Sequence, residues 1–294
     1  MSDHVSPEPL NGVAEPLPVS VCIPVRNEET ILPACLDALA GSFDDVFVVD
    51  SKSTDGTCRV ATEKGASVAQ FAWNGKFPKK RNWALRNIAF RYPWVLFLDA
   101  DEIVTPAFIA ELRRTLPGTR HVGFWVRFTN HFLGRPLRHG DVFRKLSLFR
   151  RDAGEYEAFP EEWWSSLDME IHEHPILRGS VGQLQEKVEH LDDRGLHHYI
   201  AKHNDYSSWE ARRHAWLQAA SPAAWSVLTN RQRFKYRHLD KWWFGHLYFW
   251  MCVLIKRGIL DGRAGWHFAR MKKRYFDDVR LKIDEFASNR GVRP

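Results

Sequence analysis

The sequence predicts an α/β fold with a mixed sheet, followed by a helical C-terminal extension. Three observations carry this. Short apolar runs at 19–25, 44–50 and 94–99 each end in polar or acidic residues. Helical stretches separate these runs, the alternation of a parallel sheet with one functional rim. Further on, residues 194–219 and much of 236–288 have helical patterning.

The elements follow in order. Residues 1–18 hold prolines at 7, 9, 16 and 18 and little apolar periodicity, so a disordered tail is expected. They lack the basic start and apolar core of a signal peptide. Val19-Ser20-Val21-Cys22-Ile23-Pro24-Val25 reads as a buried strand, and a helix is expected near 29–40. The next strand, 44–50, ends in Asp50. The polar turn Ser51-Lys52-Ser53-Thr54-Asp55-Gly56-Thr57 then opens a helix near 55–64. A strand at 67–72 and a helix at 78–91 follow, with Pro78 suited to a first turn. Trp94-Val95-Leu96-Phe97-Leu98 reads as a fully buried strand, and Thr105-Pro106 opens a helix at 105–116. Residues 121–150 read as further strands with a turn near Gly134-Arg135-Pro136.

With 294 residues, 44% of them hydrophobic, the chain can bury one sizeable catalytic domain plus an appendage. The expected organisation is a tail at 1–18, a catalytic domain at 19–225 and a basic, aromatic-rich helical extension at 226–294. Cys22, Cys35, Cys58 and Cys252 show no paired spacing and read as reduced packing residues of a cytoplasmic protein.

Asp99-Ala100-Asp101-Glu102 closes the strand ending at 99. In an open α/β sheet, ligands sit outside the carboxyl ends of the strands. Hard oxygen ligands at short spacing suit magnesium or manganese, and either ion suits a diphosphate. The competing reading is a solvated acidic turn ahead of the next helix.

Three segments at successive strand ends now resemble a known family. Pro24-Val25-Arg26-Asn27-Glu28-Glu29, Val49-Asp50-Ser51-Lys52-Ser53-Thr54-Asp55-Gly56-Thr57 and Phe97-Leu98-Asp99-Ala100-Asp101-Glu102 are similar, in order and spacing, to the signatures of family 2 glycosyltransferases. The likeness covers roughly 19–190. A weaker one runs through Gly258-Ile259-Leu260-Asp261-Gly262-Arg263-Ala264-Gly265, which resembles the tail of bacterial transferases building lipopolysaccharide core or exopolysaccharide. The resemblance implies the Rossmann-like GT-A fold, a nucleotide-sugar donor, a divalent metal (Mn or Mg) and inversion at the anomeric carbon. It also implies a glycan or lipid-linked acceptor in cell-envelope polysaccharide or lipopolysaccharide synthesis.

The same resemblance assigns roles. Glu28 and Asp50 hold the ribose and the base, where carboxylates accept from amide and hydroxyl donors. Pro24 shapes the wall and Arg26 adds a contact. Lys80, Arg81 and Asn82 lie in or near the donor pocket, although cations at a helix start oppose its dipole. Asp99 contacts the sugar or ribose, and Asp101 is the first metal candidate. Asp55 reads instead as a structural residue at the start of the helix after it.

Asp168-Met169-Glu170-Ile171-His172-Glu173-His174-Pro175 is the second chemical segment. Inversion needs a carboxylate to take the acceptor's proton on the face opposite the leaving group. Relatives resemble this chain in an Ile-His-Glu segment here, which makes Glu173 the first candidate base and Glu170 the second. His172 is a candidate third metal ligand. Trp163 and Trp164 could line an acceptor groove or pack in the core.

Charge is divided unevenly. Residues 226–294 carry 16 Lys and Arg against 6 Asp and Glu, a net of +10, while the remainder is net −4. An anionic surface is the expected partner. The aromatic run from Trp242 to Ile255 is bracketed by Lys241 and by Lys256-Arg257. It is shorter than the ~20 residues that span a bilayer. Trp and Tyr prefer the headgroup level, so one reading is an interfacial segment on the inner face of the cytoplasmic membrane. The other is a helix buried against the protein. Nucleic acid is not expected, since the aromatics are continuous with aliphatics rather than interleaved with basic residues.

Three rival functions remain. A nucleotidyltransferase shares the α/β fold and metal acids but usually carries a Gly-rich phosphate loop, which Arg26-Asn27-Glu28-Glu29 is not. A zinc hydrolase is suggested by 14 histidines, without HExxH spacing. A non-catalytic basic membrane- or nucleic-acid-binding protein leaves the three strand-end motifs unexplained.

Overall fold

Val19–Val25 forms β1, buried along its whole length. A continuous apolar run does this when both faces of a strand are covered. In this computed structural model the described residues are 15–140, 143–158, 168, 174–192, 194–226 and 228–288. They fall into two compact units. One takes in 15–127, 144–158, 168 and 174–188; the other takes in 128–140, 143, 189–192, 194–226 and 228–288.

The first unit alternates strands and helices. After β1 come α1 (Leu32–Leu39), β2 (Val46–Asp50), α2 (Thr57–Glu63), β3 (Ser67–Gln70), α3 (Lys80–Asn87) and β4 (Trp94–Phe97). The short β5 (Glu102–Ile103) and α4 (Pro106–Thr115) follow. Leu32, Cys35, Leu36 and Leu39 form the buried stripe of α1 at helical spacing. Helix α4 starts as its sequence predicts, with the Thr105 side chain accepting from the Phe108 N–H at 3.1 Å and Pro106 in the first turn. Next come β6 (Gly123–Phe132), β7 (Arg135–Pro136), β8 (Phe143–Arg150), β9 (Gly154–Tyr156), β10 (Pro175–Leu177) and β11 (Val181–His190).

The sheet order is β3-β2-β1-β4-β8-β6-β11-β5, with β7 paired to β6, and β9 and β10 form a separate antiparallel pair. Strand β1 runs parallel to β2 and β4, and β2 parallel to β3, while β8 runs antiparallel to β4. The sheet is therefore mixed, as expected. Its core sets Cys22, Val49 and Phe97 against Ala84, Ile88 and Phe90. Phe97 stacks on Phe149 and meets Tyr156 edge-on. Packing begins just before β1: Leu17 is buried and its N–H donates to the Ser42 carbonyl at 2.8 Å. Residues 1–14 lie outside the described residues.

The second unit is mostly helical. It contains α5 (Gly195–Ala219), α6 (Pro222–Ser226), α7 (Asn230–His238), α8 (Phe244–Trp250) and α9 (Gly262–Ser288). A π-helical turn at Met251–Ile255 and a 3-10 turn at Gly258–Asp261 link α8 to α9. Thr229 and Gln232 cap α7 reciprocally, satisfying two otherwise orphaned donors. Its core joins Ala211 and Leu217 of α5 to Tyr236, Phe244, Phe276 and Val279. Phe132 and Leu137, from the hairpin of β6 and β7, pack on Ala264 and Phe268 of α9.

Candidate active site

Because β1, β2 and β4 are parallel, their carboxyl ends share one edge of the sheet. Val25 lies opposite Asp50, and Cys22 opposite Phe97. The three segments singled out from the sequence therefore leave the sheet side by side. Such a rim is where open α/β sheets bind ligands.

Two of the three turns are latched together. The Asn27 N–H donates to Ser53 Oγ at 2.8 Å, and the Thr54 N–H donates to Asn27 Oδ1 at 2.8 Å. The Glu28 N–H donates to Thr57 Oγ1 at 2.8 Å, and the Gly56 N–H to Glu29 Oε2 at 3.0 Å. A Cβ at Gly56 would meet the Glu29 carboxylate, so a larger residue there would have to push that side chain aside. Asp55 is structural, as expected: its carboxylate accepts from the N–H groups of Thr57 and Glu29 at 3.0 and 3.2 Å. In this frame Pro24 is buried, Arg26 is exposed and Glu28 is half-buried.

Asp50 is buried at the end of β2, and its carboxylate accepts from both the N–H and the hydroxyl of Ser53. Burial pushes its pKa up, but hydrogen bonds from Ser53, with those of Gln70 and Cys58, together outweigh that and hold it below the usual carboxylate range. Asp50 is thus an ionised acceptor at neutral pH.

The turn after β4 is more strongly charged. Arg81 Nη2 donates to Asp99 Oδ1 at 2.7 Å, and Lys145 Nζ donates to Asp99 Oδ2. Lys145 also reaches Glu102 Oε1 at 2.5 Å, while the other Glu102 oxygen accepts from the Asp99 N–H at 2.9 Å. The register explains Lys145: Leu96 pairs with Leu148, and continuing the antiparallel ladder outward sets Lys145 opposite Asp99. Burial opposes the Lys145 charge, but Asp99 and Glu102 hold its pKa above the ordinary lysine value. Asp101 and Glu102 are buried, and each brings a carboxylate oxygen within 4.8 Å of the other. Hard oxygens this close suit a small divalent cation. Nearby, burial and these three acids push the Cys35 thiol well up, leaving it protonated.

Lys80, Arg81 and Asn82 open α3, and all are buried. Lys80 Nζ donates to the Val25 carbonyl at 2.9 Å and pairs with Asp168 at 3.4 Å. Burial lowers its pKa, partly offset by Asp168. The mismatch of a cation at a helix start is thereby answered locally. Asn82 exchanges two hydrogen bonds with the Tyr156 backbone, at 2.8 and 2.9 Å, fixing α3 to β9.

The structure therefore brings Pro24, Glu28, Asp50, Asp99 and Asp101 to one rim, with Lys80, Arg81 and Asn82 on the adjoining helix. Glu170, His172 and Glu173, with Trp163 and Trp164, lie outside the described residues. Sequence reasoning missed Lys145 and the pairing role of Asp168. A lysine directly ahead of the buried run Leu146-Ser147-Leu148-Phe149 was the available signal for Lys145.

A family model described as Glycosyl transferase family 2 matches residues 20–165. A TPR repeat-containing protein of Synechococcus elongatus is 37% identical over 108 residues, which is 37% of this chain and 26% of that protein. An uncharacterized glycosyltransferase of Rickettsia bellii is 32% identical over 206 residues, 66% of each chain. Among solved structures, a complex of glucosyl-3-phosphoglycerate synthase from Mycobacterium tuberculosis with Mn2+, UDP-glucose and phosphoglyceric acid matches at 28% identity. It covers 38% of this chain and 44% of that one, with a TM-score of 0.31. The chain thus spans about a quarter of the cyanobacterial relative and about two thirds of the rickettsial one.

Proposed function

Since this chain belongs to glycosyl transferase family 2 through its residues 20–165, we propose that it is an inverting, metal-dependent enzyme of cell-envelope glycan synthesis. It moves a sugar from a nucleotide-diphosphate donor to a hydroxyl of a glycan or lipid-linked acceptor, in polysaccharide or lipopolysaccharide assembly. The observation that supports this best is Asp99 held between Arg81 and Lys145, on the rim that also carries Asp50 and Asp101.

Each group has a task in this reading. Asp50, ionised and oriented by Ser53, accepts from the base or ribose together with Glu28. Pro24 forms the wall beside them, and Arg26 reaches the donor from solvent. Arg81 and Lys145 orient the Asp99 carboxylate, whose oxygens would accept from a sugar or ribose hydroxyl. Lys80 and Asn82 act through the backbone they hold, at Val25 and Tyr156, and so set the shape of the donor pocket. Asp101, with Glu102 beside it, would hold a manganese or magnesium ion, and the hard, closely spaced oxygens fit either. When bound, that ion supplies neutralisation of the charge on the leaving diphosphate. Glu173, or failing it Glu170, takes the proton from the acceptor hydroxyl.

Donor hydrolysis needs no acceptor, and so tests the reading directly. A panel of nucleotide sugars is incubated with manganese, and release of nucleoside diphosphate is measured. Turnover of one donor, abolished by chelator, supports the proposal; no turnover of any donor overturns it. Glu173→Gln and Glu170→Gln then separate the two candidate bases, because the amide keeps shape while removing the basic oxygen. The true base variant keeps donor binding and loses transfer.

A further inference from the structure

The C-terminal helical unit carries an apolar face that its own core does not use. Phe244, Phe249, Cys252 and Val253 point inward, toward Phe276 and Ala269 of α9. Leu247, Trp250 and Leu254 recur at helical spacing on the opposite side, and all are exposed. The two sequence readings of this aromatic run thus describe opposite faces of one segment: one face is core, the other is open.

The open face continues past the end of the helix. Ile255 is 78% exposed, and the 3-10 turn exposes Ile259 and Leu260. Trp266 closes the strip: the Phe249 ring lies 5.1 Å from Trp250 and 5.0 Å from Trp266, so both indoles flank one buried ring. Trp242 is 71% exposed at the other end. Contiguous exposed apolar surface of this kind marks an interaction site rather than ordinary scatter.

Charge selects the occupant. Between residues 241 and 270 the sequence holds five basic residues and a single acid, Asp261. That acid is turned inward, its carboxylate accepting from the N–H groups of Arg138 and His139 at 3.1 and 2.9 Å. Lys241, Arg257, Arg263 and Arg270 are exposed. The outer surface is therefore apolar and cationic together. Indoles with basic residues around an aliphatic centre match the headgroup level of an anionic bilayer. No described helix is long and apolar enough to cross a membrane, so this face would lie on the surface rather than span it.

We propose that the surface built from Trp242, Leu247, Trp250, Leu254 and Ile255, with the turn at Ile259 and Leu260, docks on an anionic lipid bilayer. This rests on the second unit alone and stands apart from the reaction assigned to the rim.

The test uses the full chain and sedimentation with vesicles of phosphatidylcholine, with or without about one third phosphatidylglycerol. The expected result is binding to the anionic vesicles that weakens as salt rises, because the charges are screened over about 8 Å at physiological ionic strength. Leu254→Asp with Ile255→Asp should lower the partition coefficient by about tenfold or more. Arg263→Glu with Arg270→Glu, all exposed positions, should reduce the preference for anionic vesicles even if the first pair perturbs folding. Circular dichroism and nucleotide-sugar hydrolysis report fold and activity independently. Failure of the intact chain to bind anionic vesicles, or equal binding by both variants, overturns the proposal. So does a dimer that the Asp substitutions dissociate while vesicle binding is absent, since the occupant would then be a second copy.

Discussion

Lys80 Nζ donates a 2.9 Å hydrogen bond to the main-chain carbonyl of Val25, the last residue of the first strand. A buried ammonium thus terminates the strand from which the candidate donor loop departs. Burial disfavours its charge, and Asp168 offsets part of that cost. Lys80→Met should leave the Val25 carbonyl and the Asp168 carboxylate without this partner. The expected loss is about 1–3 kcal/mol, the cost of unsatisfied buried groups. Urea unfolding of the variant measures it; an unchanged midpoint would show that the contact contributes nothing.

Lys145 joins two carboxylates, Asp99 and Glu102, of which Glu102 is fully buried. Removing the cation leaves like charges facing each other. Lys145→Met should therefore destabilise by about 3 kcal/mol, as breaking a buried ion pair does. Adding Glu102→Gln to it should recover part of the loss, because one stranded charge is gone. A double-mutant cycle reads the coupling directly. Strict additivity would argue against the bridge.

The legibility of this chain follows burial. Strand β1 is read to the residue because all but Ser20 of its seven residues are apolar, so no register or neighbour need be known. Helix α4 is legible because Thr105 and Pro106 mark its start. Strand β11 was not legible: of its residues only Leu184 and Val188 are buried, and pairing with distant strands makes it a strand at all. The acids of the rim stood out through spacing, whereas Lys145 is joined to Asp99 only by an antiparallel register. The family resemblance sets Lys80 in or near the donor pocket, and its charge opposes the dipole of the helix it opens. The backbone carbonyl that answers that charge lies 55 residues away in sequence.

Asp101 is the rim acid assigned to the metal. In the proposed site, Asp101→Ala would delete a metal ligand rather than a fold element. Calorimetric titration of the native chain with uridine diphosphate should show binding with manganese that drops by at least about tenfold in chelator. In the variant the two conditions should give the same weak affinity. Equal affinity of the native chain in both conditions would remove the metal from the proposal.

His203 makes the helical unit sensitive to acid. It stacks on Tyr199 at 3.9 Å between ring centres, meets Tyr275 edge-on, and shares a 2.8 Å hydrogen bond between Nδ1 and the Tyr199 carbonyl. Burial is the main cause of its low pKa, and Lys272 adds to it. Together with Lys202 they outweigh the opposing hydrogen bond and Asp192, taking the imidazole from 6.5 to about 4. The unfolded chain binds this proton near 6.5 and the folded chain only near 4, so between those values the unfolded state holds more protons. The contribution is complete above pH 6.5 and is lost as pH falls through 4. Its slope is at most about 1.4 kcal/mol per pH unit. His203→Phe keeps a flat ring against Tyr199 and removes the titrating group. Chemical denaturation of native and variant chains across this range should therefore show their stability difference shrinking or reversing in the variant's favour as pH drops. A difference constant with pH would mean that His203 does not titrate on unfolding, and its burial would then carry no acid sensitivity.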